Sequence, residues 1–407
     1  MPLFGKRRIY LDYASATPIL ASAVRAMRSA EKLAGNPGSI HDEGVRASRS
    51  LENSRARIAA QLGCKPREVI FTSGITESNN LAILGSFKKM ILGGETSKYT
   101  HWLTSSIEHA SVLACFEHIK EMGGIVSFVN PDAHGTVSAD ALKKELRKET
   151  VFVSVGWANN EIGVIQSLSE ISRTIHEHGK KHGHSVVFHS DAGQAPLYLS
   201  AQAHSLGIDL LSVGAAKLYG PHGIGALYAS DKAELSPLIL GGGQERGLRS
   251  GTENVALAAG FAEAFECVAR ERASESKRLA LLRDQLADGL ISGIPGAVIN
   301  GDLSFGGKHT LPHMLNISVP NISGEYFVLS LDRAGIFIST KSACGEGTEK
   351  QSHVVAALGG NPPSANWRSG WKAQNPLRFS LGRDTTERDI RRVIKECQAI
   401  AARFQPR

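Results

Sequence analysis

From Ile58 to Leu227 the chain alternates short apolar runs with longer amphipathic ones. EVIFTS, THWLTSS, GIVSFV, TVFVSVG, SVVFHSD, IDLLSVG and GIGALYA are brief, apolar and rich in β-branched residues, which predicts strands. Between them, ESNNLAILGSFKKMI, ASVLACFEHIKEMG, ADALKKELRKE and LSEISRTIHEHGKKHG repeat apolar residues at the helical period. Strands alternating with helices predict an α/β fold with a mostly parallel sheet flanked by helices. Ligands of such sheets bind beyond the C-terminal strand ends. Polar runs cluster at those ends: TSGITES, IEHAS, ANNEIG and SDAGQA. A helical pattern over roughly 255–290 then predicts a linking helix. Strands near AVING and HMLNISV and a helix over GEYFVLSLDRAG predict a smaller α+β domain. The expected division is a large domain over 16–258 and a small one built from 1–15 and 259–407.

The 407 residues suffice for two domains with a buried core. No apolar run is long enough to cross a membrane. The opening MPLFGKRRIYLDYASATP has basic residues without an apolar core after them, so no secretion signal is read. The five cysteines are scattered, odd in number and contain no CxxC pair, which predicts a reducing compartment, the cytoplasm. The net charge of +7 comes from Lys and Arg dispersed among acids. No basic tract is interleaved with aromatics, so a nucleic-acid partner is not expected. A positive field would still attract an anionic cofactor or substrate.

One lysine is out of place. In LLSVGAAKLYGPHGIGALY, Lys217 ends an apolar strand in a run with almost no other charge. It either packs its stem and sends its ammonium to water, or it is a desolvated amine with chemistry to perform. Asp191 ends the preceding strand, either as a helix N-cap or as a carboxylate that needs a buried cationic partner. An Asp for a pyridinium nitrogen and a Lys for an aldehyde, on neighbouring strands, are what pyridoxal 5'-phosphate (PLP) requires. TSGITES follows a strand and opens a helix, so Gly74, Ile75 and Thr76 can present N–H groups to a phosphate. His109 in IEHAS can stack on a ring or move protons, or can simply cap a helix.

Taken together, YLDYASATP, GNPGSIHDEG, VIFTSGITESNNLAI, SSIEHASVL, NNEIGVIQ, DAGQAPLYL, KLYGPHGIGALY, GGGQERGLRSGTENV, KSACGEG and LRFSLGRDTT resemble the cysteine desulfurases, PLP enzymes of the class V aminotransferase group with fold type I. The resemblance covers nearly the whole chain. It implies that Lys217 bonds the cofactor aldehyde, Asp191 partners the pyridinium, Gln194 hydrogen-bonds the phenolate oxygen, and His109 stacks on the ring and transfers protons. Thr76 matches a phosphate ligand, and Thr252 matches a second one donated by the other subunit of a homodimer. Asn160 and Arg378 match the pair that holds the substrate carboxylate, for which the planar guanidinium fork is suited. Cys344 matches the catalytic cysteine. Its own surroundings, KSACGEGTEKQSH, are small and polar, unlike those of Cys115 and Cys267 in helical apolar patterns or of Cys64 and Cys397, which read as structural. The implied reaction converts L-cysteine to L-alanine. Sulfur becomes a persulfide on Cys344 and passes to an acceptor such as an iron–sulfur scaffold or a tRNA thiolation system. Selenocysteine lyase or another class V reaction is the alternative, as is a non-catalytic relative serving as a scaffold.

The chain departs from this pattern in two places. The family's Ser-x-His-Lys, whose serine and histidine bind the phosphate, is replaced by Gly214, Ala215, Ala216 and Lys217. A hydrogen bond to a charged group contributes about 1.5–3 kcal/mol, so His222 or backbone N–H groups are expected to compensate. The second departure is the insertion between Gly359 and Arg378, rich in Gly, Pro and Asn, read either as an exposed loop or as a segment whose tryptophans cover the active site or dock a partner.

Overall fold

The computed structural model describes residues 7–94, 99–303, 309–340, 351–358 and 375–404. Strand β1 (Ile9–Tyr10) and helices α1 (Ala21–Ala30) and α2 (Asp42–Leu62) precede the expected alternation. It then runs β2 (Val69–Thr72), α3 (Ile75–Leu92), β3 (His101–Ser105), α4 (Ala110–Glu121), β4 (Ile125–Val129), α5 (Ala139–Glu145) and β5 (Thr150–Ser154). It continues with α6 (Leu168–His182), β6 (Val187–Asp191), α7 (Ala203–Leu206), β7 (Leu210–Gly214) and β8 (Gly225–Ala229). Among the described residues these strands form one sheet in the order β2-β8-β7-β6-β5-β3-β4. Neighbours from β4 to β7 pair in parallel, and only β8 runs against the rest.

Strands covered on both faces read as continuous apolar runs, and β2, β3 and β7 are buried along their whole lengths. Buried polar side chains need partners. Within the sheet, His189 bonds Ser154 Oγ at 2.9 Å and Ser212 Oγ at 3.1 Å, linking β5, β6 and β7. Burial lowers its pKa to about 3, so the ring stays neutral.

Helix α8 (Val255–Gly293) extends the expected linking helix and packs on α1 and α2 with buried Ala258, Phe261 and Phe265. Beyond it, β9 (Val298–Ile299), β10 (Met314–Ser318) and β12 (Pro376–Ser380) form an antiparallel sheet, and β1 pairs with β11 (Ile336–Phe337). The N-terminal strand thus joins the C-terminal part of the chain. Among the described residues no helix is long and apolar enough to cross a membrane.

Candidate active site

A cavity of about 330 Å³ opens beyond the C-terminal ends of β2, β3, β5, β6 and β7. A void of that size can bury most of a small cofactor. Lys217, Asp191, His109, Gln194, Asn160, Arg378, Gly74, Ile75 and Thr76 all line it. They come from six separate stretches of chain, five at or just beyond the C-terminal ends of sheet strands and the sixth, Arg378, on β12.

Lys217 lies in the single turn after β7. Its Nζ does not simply reach water: it donates to the Ala14 carbonyl at 2.8 Å and also to that of Ser15. Gln194 Nε2 donates to the same Ala14 oxygen at 2.9 Å. The YASAT turn therefore gathers both side chains.

Asp191, at the end of β6, accepts from Gly193 N at 2.8 Å and from Asn79 Nδ2 at 2.7 Å. It caps its own turn and no helix, and among the described residues it has no ion pair. Asn79 also donates to Ser111 Oγ at 2.9 Å, and Ser111 Oγ lies 2.8 Å from His109 Nδ1. One amide thus couples the carboxylate of β6 to the imidazole before α4. His109 Nδ1 also accepts from Ser111 N at 3.2 Å, so His109 both caps α4 and lines the cavity. With its Nδ1 lone pair engaged, the neutral ring carries its proton on Nε2. Burial favours that neutral form and holds His109 below its ordinary value, against the opposing pull of Asp191.

Glu108 is a second acid at the cavity wall. Its carboxylate accepts twice from Gly156 N, at 2.9 and 3.0 Å, and from Ser105 Oγ. Burial outweighs these bonds and, helped by nearby Asp191, pushes its pKa up to about 7 from 4.5. The folded state therefore holds this proton more tightly than the unfolded chain. The stability it contributes is complete below about pH 4.5 and is lost as pH rises through about 7, a change on the order of 3 kcal/mol. Unfolding of the wild type and Glu108→Gln across this range should show their stability difference changing by that amount. A difference independent of pH would contradict the assignment.

Arg378 lies on β12, 1% exposed. It donates to the Asn160 carbonyl at 3.0 Å, to Asp12 Oδ1 at 2.8 Å and to Ser15 Oγ at 2.6 Å. Its Nε is buried and has no hydrogen-bond partner among the described residues. Asn160 is held beside it by Asn159, whose Oδ1 accepts from Glu161 N and Ile162 N. Gly74, also in the lining, takes φ +154°, in the region that favours glycine, and opens α3 without a capping side chain. The first N–H groups of α3 have no intrahelical partner and carry the positive end of the helix dipole, which suits an anion.

The chain matches known proteins along nearly its whole length. The aminotransferase class-V family profile matches residues 9–393. A cysteine desulfurase IscS from Dictyoglomus turgidum is 37% identical over 98% of this chain and 96% of its own. The chain is a class-V aminotransferase, of the cysteine desulfurase branch. Among solved structures, a NifS-like protein superposes with a TM-score of 0.86 at 31% identity, covering 97% of this chain and all of that one. SspA in complex with cysteine does so with 0.74 at 31% identity, over 92% of this chain and 98% of that one.

In this class-V chain one expectation changes. His222 is exposed and does not line the cavity, so it does not replace the missing phosphate ligands. Thr252, expected to serve the other subunit, is exposed and lies outside the lining of its own chain's cavity. Cys344 and Lys341, both of the KSACGEG motif, and residues 360–374 of the insertion lie outside the described residues. Asn79, Ser111, Glu108, Asp12 and Ser15 were not singled out in the sequence. All five do stand inside the quoted motifs YLDYASATP, VIFTSGITESNNLAI and SSIEHASVL.

Proposed function

We propose that the chain converts L-cysteine to L-alanine with PLP, leaving the sulfur as a persulfide on Cys344. The observation that carries this reading is the convergence of Lys217, Asp191, His109, Gln194 and Arg378 on one cavity in a chain of the cysteine desulfurase branch. The donor set fits PLP. Asp191 offers a carboxylate with two hydrogen-bond donors and no ion pair among the described residues, as a protonated pyridine nitrogen needs. Lys217 offers the amine for the aldehyde, Gln194 an amide for the ring oxygen, and the N-terminus of α3 with Thr76 a cradle for the phosphate. When bound, PLP supplies an electron sink for the substrate α-carbon.

The protein's own residues do the rest. Neutral His109 and the Lys217 amine are placed to hold and return the α-proton. Arg378 and Asn160 orient the substrate carboxylate. The Cys344 thiolate attacks the substrate sulfur and the Cβ–S bond breaks. Its electron pair stays with the carbon fragment, which takes up a proton and leaves as alanine. The cysteine complex of SspA supports the choice of substrate. The residues that flank Cys344 support its role. Ser339 bridges Arg378, Ser352 Oγ donates to Glu161, and His353 Nε2 lies 3.0 Å from the Glu108 carbonyl. Both ends of the segment are therefore fastened to the cavity wall.

The same reading includes a homodimer in which exposed Thr252 completes the partner's phosphate site, a cytoplasmic setting, a thiol acceptor such as an iron–sulfur scaffold, and a division into 16–258 and 1–15 with 259–407. All four described cysteines are free, which suits a reducing compartment. With L-cysteine and a reductant, equal amounts of alanine and sulfide are expected. Turnover confined to L-selenocysteine would favour the lyase reaction instead. Arg378→Lys should raise KM for L-cysteine by about ten-fold or more, because a charge-assisted pair is lost, while cofactor content is retained. An unchanged KM would remove Arg378 from the substrate site.

A further inference from the structure

Gly214 ends β7 with φ −145° and ψ 137°, extended backbone that any residue can adopt. Its conformation does not demand glycine. A neighbour does: a Cβ at 214 would lie 2.5 Å from Ile75 Cγ1 and 2.9 Å from Ile75 Cδ1, well inside van der Waals contact. The same Cδ1 would stand 3.1 Å from a Cβ on Gly193, which would also meet Asp191 Oδ1 at 3.1 Å. The end of the isoleucine is therefore wedged between Gly193 and Gly214, where the N-terminus of α3 meets the ends of β6 and β7. Ile75 and Gly214 both line the cavity.

We propose that Ile75 and Gly214 are a complementary pair that replaces a hydroxyl ligand of the cofactor phosphate with an apolar wall. Within one chain the phosphate is then held by the first N–H groups of α3 and by Thr76. The proposal rests on the PLP reading above and deepens it. Ala216 continues the wall, offering neither hydroxyl nor imidazole. Because Ile75 is β-branched and sits in the first turn of a helix, its χ1 is stiff and it cannot swing aside for a new side chain. A serine at 214 is thus useful only when position 75 is small.

The test is a double-mutant cycle on the full-length protein: wild type, Gly214→Ser, Ile75→Ala, and both together. Two quantities are read for each: PLP affinity by absorbance titration of cofactor-free protein, and the thermal midpoint without cofactor. Gly214→Ser alone should bind PLP several-fold more weakly and melt earlier. The double variant should recover the midpoint lost by Gly214→Ser and bind PLP about ten-fold more tightly than the wild type, the gain of one charge-assisted hydrogen bond. Additive effects, or tighter binding by Gly214→Ser alone with an unchanged midpoint, would overturn the pairing. If the wild type takes up no PLP at all, the cofactor reading fails instead.

Discussion

Lys217→Ala should fold, should fail to fix PLP on reduction with borohydride, and should form alanine on the order of a thousand-fold more slowly than the wild type. The expectation follows from where the amine sits. It ends β7, lines the cavity, and its Nζ is steered by the Ala14 and Ser15 carbonyls within a group that includes Gln194 and Arg378. Removing it takes away both the covalent anchor of the aldehyde and one of the two groups placed to move the α-proton. Proton transfer by a positioned side chain alone contributes about a hundred- to ten-thousand-fold. A lysine held only for packing would not behave this way: its loss would lower the melting temperature and leave reductive trapping intact. If borohydride still fixes PLP on Lys217→Ala, at whatever residue, the assignment fails.

Cys344→Ala should abolish sulfide release while leaving PLP absorbance and thermal midpoint unchanged. The other cysteines are poorly suited to the task. Burial pushes Cys64 and Cys115 up to about 12, and Cys397 higher still, so that none of the three is a thiolate near neutral pH. Cys267 is buried in α8, with Arg270 donating to its sulfur at 3.0 Å, and it does not line the cavity. Reactive sulfur depends on thiolate character and access. The loss is expected to exceed about a hundred-fold, because covalent catalysis disappears with its nucleophile. Turnover within a few-fold of the wild type would show that sulfur leaves the substrate without this residue.

What was legible in the sequence, and what was not, follows the range of the interactions. All seven strands expected between Ile58 and Leu227 form, each trimmed by a residue or two, because alternation is a local signal. The polar runs after them do meet at one cavity, since every parallel strand delivers its C-terminal end to the same edge. Helices α1 and α2 leave little trace in the pattern: α2, DEGVRASRSLENSRARIAAQL, carries too narrow an apolar stripe among its charges to stand out. Strands β1 and β11, two residues each, are too short to show any period. The side-chain network was the least visible part. Asn79, Asp191, Ser111 and His109 come from three different connections, and Asp12 meets Arg378 from the far end of the chain. No spacing rule links such residues. The family pattern exposed the absence of a serine at 214, but only the packing of Ile75 against that position shows what stands in its place.

The most direct measurement is the mass of the peptide containing Cys344 after the purified, PLP-loaded protein has met L-cysteine without reductant. Expected is a gain of one sulfur atom on that peptide, matched by alanine in solution, removed by a thiol reductant and absent from Lys217→Ala. Alanine formed with no sulfur gained at Cys344, or sulfur gained at any other cysteine in its place, would contradict the transfer of sulfur to this residue.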